Sequence, residues 1–192
     1  MRDNKAECKI NPLANKNNVV KDSICSNIVA KSCKYGEARL SSIVDDECVM
    51  ESAKRNVNAS ELKLDKYRVV MRWVPKERAK EDDDYGRWEV YKTVTTLKPN
   101  EVCNEAHLII ASYSTRDEAY NLCAYLKTKF VIFLVACESL ENKICKTSFI
   151  HVPMQDFSKP LTDTDLYAKY GLNQEEIAFI KTRIQSINEE GR

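Results

Sequence analysis

The spacing of apolar residues between positions 64 and 113 predicts three β-strands. The first, Leu64 to Val74, has the β-rich centre Val69-Val70-Met71-Arg72-Trp73, which indicates burial on at least one face. The second, Trp88 to Leu97, alternates apolar with polar residues, and the third runs from Ala106 to Tyr113. Between the first two strands, the polar residues 76–84 and Gly86 predict a solvated loop.

A helical period begins after the third strand. Residues 114–115 are Ser-Thr and precede the acidic pair 117–118, which is a capping-box arrangement, and apolar residues from Ala119 to Leu126 recur at helical spacing. The pattern leaves two outcomes open. The helix either ends near Lys127 or continues, with a bend, into the apolar run 130–137.

The end of the chain is predicted to form a helical hairpin. Val152-Pro153 and Lys159-Pro160 mark an extended connector before it, since proline disfavours helix at the preceding residue. Thr162 or Asp163 then caps a short helix that ends at Gly171, and Asn173 caps the final helix. Four isoleucines at helical spacing line one face of that helix: Ile177, Ile180, Ile184 and Ile187.

Residues 1–60 show no sustained period and are rich in Asn, Lys, Ser and Cys. Short strands and loops are predicted there, with a helix at Cys48 to Val57. For the whole chain we expect an α+β fold, in which a twisted, mostly antiparallel sheet is packed with helices and closed by the C-terminal hairpin. Its parts are an N-terminal part (1–60), an α+β core (61–160) and the hairpin (161–192).

The charges of the chain nearly cancel. Thirty Lys and Arg stand against 29 Asp and Glu among 192 residues, for a formal net charge of +1. No overall electrostatic attraction to nucleic acid follows from that balance. Any DNA-binding surface must therefore be a local basic patch.

The eight cysteines show no paired spacing of the kind that zinc sites use. No signal peptide precedes them, so reduced thiols in a cytoplasmic protein are expected. The longest apolar run, Phe130 to Cys137, is far shorter than the roughly 18 residues that span a bilayer.

Several segments share motifs with one enzyme family. They are Asp65-Lys66-Tyr67-Arg68-Val69, Lys98-Pro99-Asn100-Glu101-Val102-Cys103-Asn104-Glu105, Glu118-Ala119 and Tyr125-Leu126-Lys127-Thr128-Lys129-Phe130. Together with the rest of the sequence from Asp117 to Ile187, they resemble the C-terminal end of adenine-specific DNA methyltransferases and methyltransferase-nuclease fusions of type II restriction-modification systems. The family usually has Arg where this chain has Ile132, and Trp where it has Leu161.

The resemblance implies a target-recognition region, which reads DNA and does no chemistry. Its partners would be double-stranded DNA and a methyltransferase or restriction catalytic domain or subunit, which would supply cofactor, base flipping and methyl transfer. Residues 1–60 lie outside the resemblance and would form the variable part of the recognition region.

The catalytic motifs of such an enzyme are missing from this sequence. The family's methyltransferases need an Asn/Asp-Pro-Pro-aromatic loop and a glycine-rich turn, whereas the only Asn-Pro here is Asn11-Pro12-Leu13 and the four glycines are scattered. There is no GxSxG, and the two histidines, His107 and His151, are predicted to be structural or surface side chains. Neither has a carboxylate partner identifiable from sequence. We therefore expect no catalysis, no cofactor and no bound metal.

The candidate DNA-binding residues fall into two sets. Lys127, Thr128 and Lys129, with Lys143 and Lys146 downstream, could direct ammonium and hydroxyl donors at phosphates. Candidates for reading bases are Arg72, Arg78, Arg87 and Lys92. The competing interpretation of the lysines at the predicted bend is an ordinary solvated helix face. The aromatic residues Tyr67, Trp73, Trp88 and Tyr91 are predicted to be core residues rather than base-stacking ones.

Two other classes of function stay open. The near-neutral charge and the Ile132 substitution also suit a protein-interaction or inhibitor module derived from a recognition domain. A metal-dependent nuclease would need two carboxylates and a lysine, and two loose matches exist. They are Asp46 with Glu61-Leu62-Lys63, and Asp117 with Glu141-Asn142-Lys143.

Overall fold

The predicted α+β class is confirmed. The computed structural model describes residues 19–44, 64–73, 87–103, 107–138 and 144–187 of the chain. In this part of the chain a three-stranded antiparallel sheet has the order β2-β1-β3, where β1 is Tyr67–Trp73, β2 is Tyr91–Leu97 and β3 is His107–Tyr113. All three strands lie within the stretches predicted from the sequence.

The two faces of β1 have different surroundings. Val69 and Met71 point towards the helices and belong to the main hydrophobic core, whereas Val70 packs with Ile109 on the other face. Neighbouring strand residues point to opposite faces, so this division follows directly from the alternation of the strand. Bulges interrupt the pairing with β2 between Arg72 and Trp73, and the pairing with β3 between Val69 and Val70.

The helical run after β3 takes the bent form. Helix α2 spans Arg116–Leu126, helix α3 spans Lys129–Glu138, and their axes differ by 65°. Residues 130–135 of α3 are all buried, which places this helix at the centre of the core. No single helix among the described residues is long and apolar enough to cross a membrane, although α2 and α3 taken together reach that length and composition across their bend.

The hairpin at the end of the chain forms with its predicted caps. Helix α4 is Asp163–Tyr170 and helix α5 is Gln174–Arg183. The Thr162 hydroxyl accepts from the backbone N–H of Asp165, and the left-handed Gly171 (φ 63°) ends α4, as glycine at this position often does. The Asn173 side chain caps α5 in the same way as Thr162 caps α4.

The predicted isoleucine face of α5 is wrong at its far end. The helix stops at Arg183, so Ile184 and Ile187 lie beyond it. Ile184 is nevertheless fully buried in the core, and its backbone forms a parallel β-bridge with Trp88 just before β2. Ile187 also packs against the core.

The prediction for the N-terminal part is wrong over residues 19–32. Residues Val19–Ser32 form a 14-residue helix, α1, instead of short strands and loops. Its apolar residues Ile28 and Val29 are buried in the core, and Lys31 pairs with Glu176 of α5. Tertiary packing, rather than a regular amphipathic pattern, holds this helix. The predicted helix at 48–57 and the loop at 76–84 lie outside the described residues.

Candidate nucleic-acid interface

The bend between α2 and α3 is already occupied by a carboxylate. The Asp163 side chain accepts the backbone N–H of Lys129 at 3.0 Å through Oδ2 and that of Phe130 at 2.9 Å through Oδ1. A carboxylate at a helix N-terminus satisfies donors that a phosphate would otherwise bind. A phosphate near this bend must therefore be held by side chains.

Thr128 has a structural role that the sequence analysis did not assign. Its buried hydroxyl donates to the carbonyl of Tyr125 at 2.7 Å and accepts from the backbone N–H of Val131 at 3.3 Å. The Thr128 hydroxyl was predicted to donate to a phosphate, but it donates to a backbone carbonyl within the bend instead. We therefore leave Thr128 out of the proposed contact surface, whereas Lys127 and Lys129 remain in it.

Lys129 connects the bend to the end of α5. Its ammonium donates to the carbonyl of Lys181 at 3.1 Å. Two residues later, the Arg183 guanidinium lies 5.9 Å from the centre of the Trp88 ring. Trp88 in turn stacks on Phe133 of α3, with 6.3 Å between the ring centres. The last turn of α5 therefore lies between the bend and the segment that leads into β2.

The start of β2 and the residues just before it contact the end of α5 and the α2–α3 bend. The N–H of Trp88 donates to the carbonyl of Arg183 at 2.6 Å, and the N–H of Gln185 donates to the carbonyl of Trp88 at 3.3 Å. The hydroxyl of the buried Tyr91 donates to the carbonyl of Leu126, next to Lys127. Burial raises the pKa of Tyr91 well above its ordinary value, so this hydroxyl stays a donor.

These contacts join three parts of the chain that carry basic residues: the start of β2, the α2–α3 bend and the end of α5. We call the basic residues on or next to these segments the basic seam: Arg87, Lys92, Lys127, Lys129, Lys181 and Arg183. Four of these residues were predicted from the sequence. Lys181 and Arg183 were not predicted. Both lie in the last turn of a capped helix, where basic residues are favoured, so the sequence did indicate a basic helix end.

The other predicted residues lie elsewhere. Arg72 is on the sheet face opposite the helices, paired with Thr93 and His107 on the neighbouring strands. Lys146 is exposed at the start of a short 3₁₀ turn, Lys146–Phe149, which packs on α3 and on the 3₁₀ turn Leu40–Ser42. The described contacts thus do not connect either residue with the basic seam. Arg78 and Lys143 lie outside the described residues.

A small cavity opens beside the basic seam. It has a volume of about 140 Å³, is partly open to solvent and is lined by residues 89–92, Ile132 and residues 185–187. Ile132 is the position at which the resembled family usually has Arg, and here it is only 1% exposed. The Ile132 side chain therefore gives the cavity an apolar wall.

Two of the four aromatic residues predicted to be structural are in contact with the core at the seam. Tyr91 is buried, and Trp88 is half-buried against Phe133. Tyr67 is also half-buried against the core. None of these three rings is fully exposed, which agrees with the prediction that they are core residues and not base-stacking residues.

His151 has the carboxylate partner that the sequence did not reveal. Its Nε2 lies 2.8 Å from an oxygen of Glu138, at the end of α3. Burial lowers the pKa of His151 below its ordinary value of 6.5, although the carboxylate acts in the opposite direction. The folded chain therefore favours the neutral form of this imidazole more than the unfolded chain does.

This shift predicts a pH dependence of stability. The pKa of His151 is lower in the folded chain than in the unfolded chain, so below about pH 6.5 the unfolded state takes up the proton first. We expect the free energy of unfolding to fall as the pH decreases from about 7.5 to about 5.5 in urea titrations. His151→Gln should flatten this dependence and His107→Gln should not. Equal slopes in all three proteins would contradict the prediction.

The described residues bear only partly on the nuclease alternative. None of them form a group of three or more His, Cys, Asp or Glu placed to hold a metal ion. Asp117 lies exposed in the first turn of α2, and the other residues of both candidate sets lie outside the described part. Cys33, Cys123 and Cys145 have free thiols, and the reduced state expected for the cysteines as a whole stays a prediction.

Comparison with known proteins gives no relative. No family model, no curated protein and no solved structure matches the chain.

Proposed function

We propose that this chain is a non-catalytic DNA-recognition module that holds the backbone of double-stranded DNA on the basic seam. The observation that carries the proposal is the contact between the start of β2, the α2–α3 bend and the end of α5, which together carry Arg87, Lys92, Lys127, Lys129, Lys181 and Arg183 in a chain whose formal net charge is only +1. Lysine and arginine contacts with phosphates supply most of the affinity of non-specific DNA binding. Local concentration of positive charge is what such binding needs.

The motif resemblance supports the wider setting of this proposal. The module works beside a methyltransferase or restriction catalytic subunit, in a reducing cytoplasm, and contributes no cofactor chemistry of its own. Phosphate contacts fix the position and orientation of a duplex without reading its sequence. Base readout would come from residues near the seam, with Arg87 and Lys92 as the described candidates.

Fluorescence anisotropy with a labelled duplex tests the proposal. At low salt we expect a Kd of about 10⁻⁴ to 10⁻⁶ M, which is the range of non-specific complexes. The variant Lys127→Ala/Lys181→Ala removes two charges without touching the hydrogen bond of Lys129, because that bond uses the carbonyl of Lys181. Its log–log salt slope should be smaller by roughly 0.9 for each phosphate that the variant no longer neutralises.

A charge-matched control separates the seam from net charge. Lys66 and Lys98 lie at the other end of the sheet, before β1 and after β2 respectively. The variant Lys66→Ala/Lys98→Ala should bind with the parental salt slope. If both double variants lose affinity equally, binding follows overall charge and not the seam, and the proposal is wrong.

A second candidate is a protein-interaction or inhibitor module. The buried Ile132, at a position where the resembled family usually has Arg, favours it because it leaves an apolar cavity wall beside the seam. Absence of duplex binding by the parent chain even at low salt would select this function over DNA recognition.

A further inference from the structure

The cavity beside the basic seam exists because two chain segments separate. Trp88 and Ile184 form an isolated parallel bridge, and beyond it residues 89–92 and 185–187 diverge around about 140 Å³ of space. Engineered cavities of ~150 Å³ hold a molecule the size of benzene. A ligand with one small apolar group and a few polar atoms therefore fits.

Opposite charges line this cavity without neutralising each other. Glu89 and Lys92 both border it, yet within the described part of the chain neither forms an ion pair or a side-chain hydrogen bond. Gln185 and Ser186 add uncharged polar groups, and Ile132 and Ile187 supply apolar surface. Because the Lys92 ammonium and the Glu89 carboxylate do not pair with each other, each can bind a group of opposite charge on a ligand.

We propose that the cavity binds a small zwitterion, specifically an α-amino acid with an aliphatic side chain. Lys92 holds the carboxylate of the ligand, Glu89 holds its ammonium, and the side chain packs against Ile132 and Ile187. A simple anion is disfavoured because Glu89 repels it, and a simple cation is disfavoured because Lys92 repels it. This site shares Lys92 with the basic seam, whereas Glu89, Ile132 and Ile187 belong to the cavity alone.

Leucine is a suitable probe because it carries an ammonium, a carboxylate and an aliphatic side chain. In a titration followed by backbone amide chemical shifts, we expect saturable changes confined to residues 89–92, 132 and 185–187, with millimolar affinity or better. Isocaproate lacks the ammonium of leucine and isoamylamine lacks its carboxylate. Each analogue should bind at least about tenfold more weakly, because each lacks one of the two charge-assisted hydrogen bonds.

Three variants of the full chain complete the test. Glu89→Gln and Lys92→Met should each weaken leucine binding at least about tenfold, and the control Lys98→Met should leave it unchanged. Both cavity positions lack side-chain partners in the described structure, so folding should persist, as circular dichroism would show. The proposal is overturned if leucine produces no saturable shifts at these residues. It is equally overturned if either analogue binds as tightly as leucine, or if the two cavity variants bind leucine like the parent.

The DNA-binding proposal and the amino-acid-binding proposal can be contradicted independently of each other. Lys127→Ala/Lys181→Ala should bind leucine normally, and Glu89→Gln should not weaken DNA binding, because it removes a negative charge near the seam. Loss of one activity with retention of the other therefore identifies which site is at fault.

Discussion

Phe130→Ala is expected to lower the free energy of unfolding by about 4 kcal/mol, more than any other substitution proposed for this chain. Phe130 is fully buried at the start of α3, stacked on Tyr170 with 5.2 Å between ring centres and edge-on to Tyr167 at 6.3 Å. Truncation removes the transfer energy of the ring and leaves a cavity between α3 and α4. Urea denaturation followed by circular dichroism measures the loss.

The matched control is Phe130→Leu, which keeps most of the buried volume. It should cost clearly less than the alanine substitution, about 1–2 kcal/mol, because the aliphatic side chain refills part of the space. A cost below about 1 kcal/mol for Phe130→Ala would mean that α4 does not pack on α3 as described.

Lys31→Met is expected to cost about 3 kcal/mol. The Lys31 ammonium lies 2.7 Å from one oxygen of Glu176, whose side chain is only 4% exposed, and it also donates to the carbonyl of Gly171 at 3.1 Å. Removal of one partner of a buried pair leaves an uncompensated charge. The expected cost is at the lower end of the usual range because Lys31 itself is about one third exposed.

A double-mutant cycle tests the physical cause. Lys31→Met/Glu176→Gln removes both charges, while the amide oxygen can still accept the backbone N–H of Asn173 that the carboxylate binds in the parent. We expect the double variant to be more stable than Lys31→Met alone by about 1–2 kcal/mol. Lys34→Met, an exposed change one turn further on, should cost less than about 0.5 kcal/mol. Additive losses in the cycle would show that the pair is not coupled.

The features that the sequence predicted well depend on neighbours along the chain. Thr162, Gly171 and Asn173 act on backbone groups within a few residues, so their types and spacing are sufficient to place the ends of α4 and α5. The strand segments were predicted for the same reason, since alternation is a local property. Asp163 was predicted as one of two possible caps of α4, but its carboxylate caps α3 instead.

The features that the sequence did not predict depend on distant residues. Helix α1 is held by contacts such as that between Lys31 and Glu176, which are 145 residues apart. The basic seam likewise combines residues from β2, the α2–α3 bend and α5, and no spacing rule connects them. The Glu138 partner of His151 is only 13 residues away, but no sequence pattern connects the two residues.

The capping of α3 by Asp163 has a consequence for synthesis on the ribosome. The helix at the centre of the core lacks its N-terminal acceptor until a residue 34 positions beyond Lys129 has been made. Phe130 also waits for Tyr167 and Tyr170. Chains fold from the N-terminus as they emerge, so the sheet and α2 would be complete while α3 still exposes its apolar surface. Nascent chains arrested before Asp163 should therefore engage holdase chaperones, and those arrested after α5 has left the exit tunnel should be released from them.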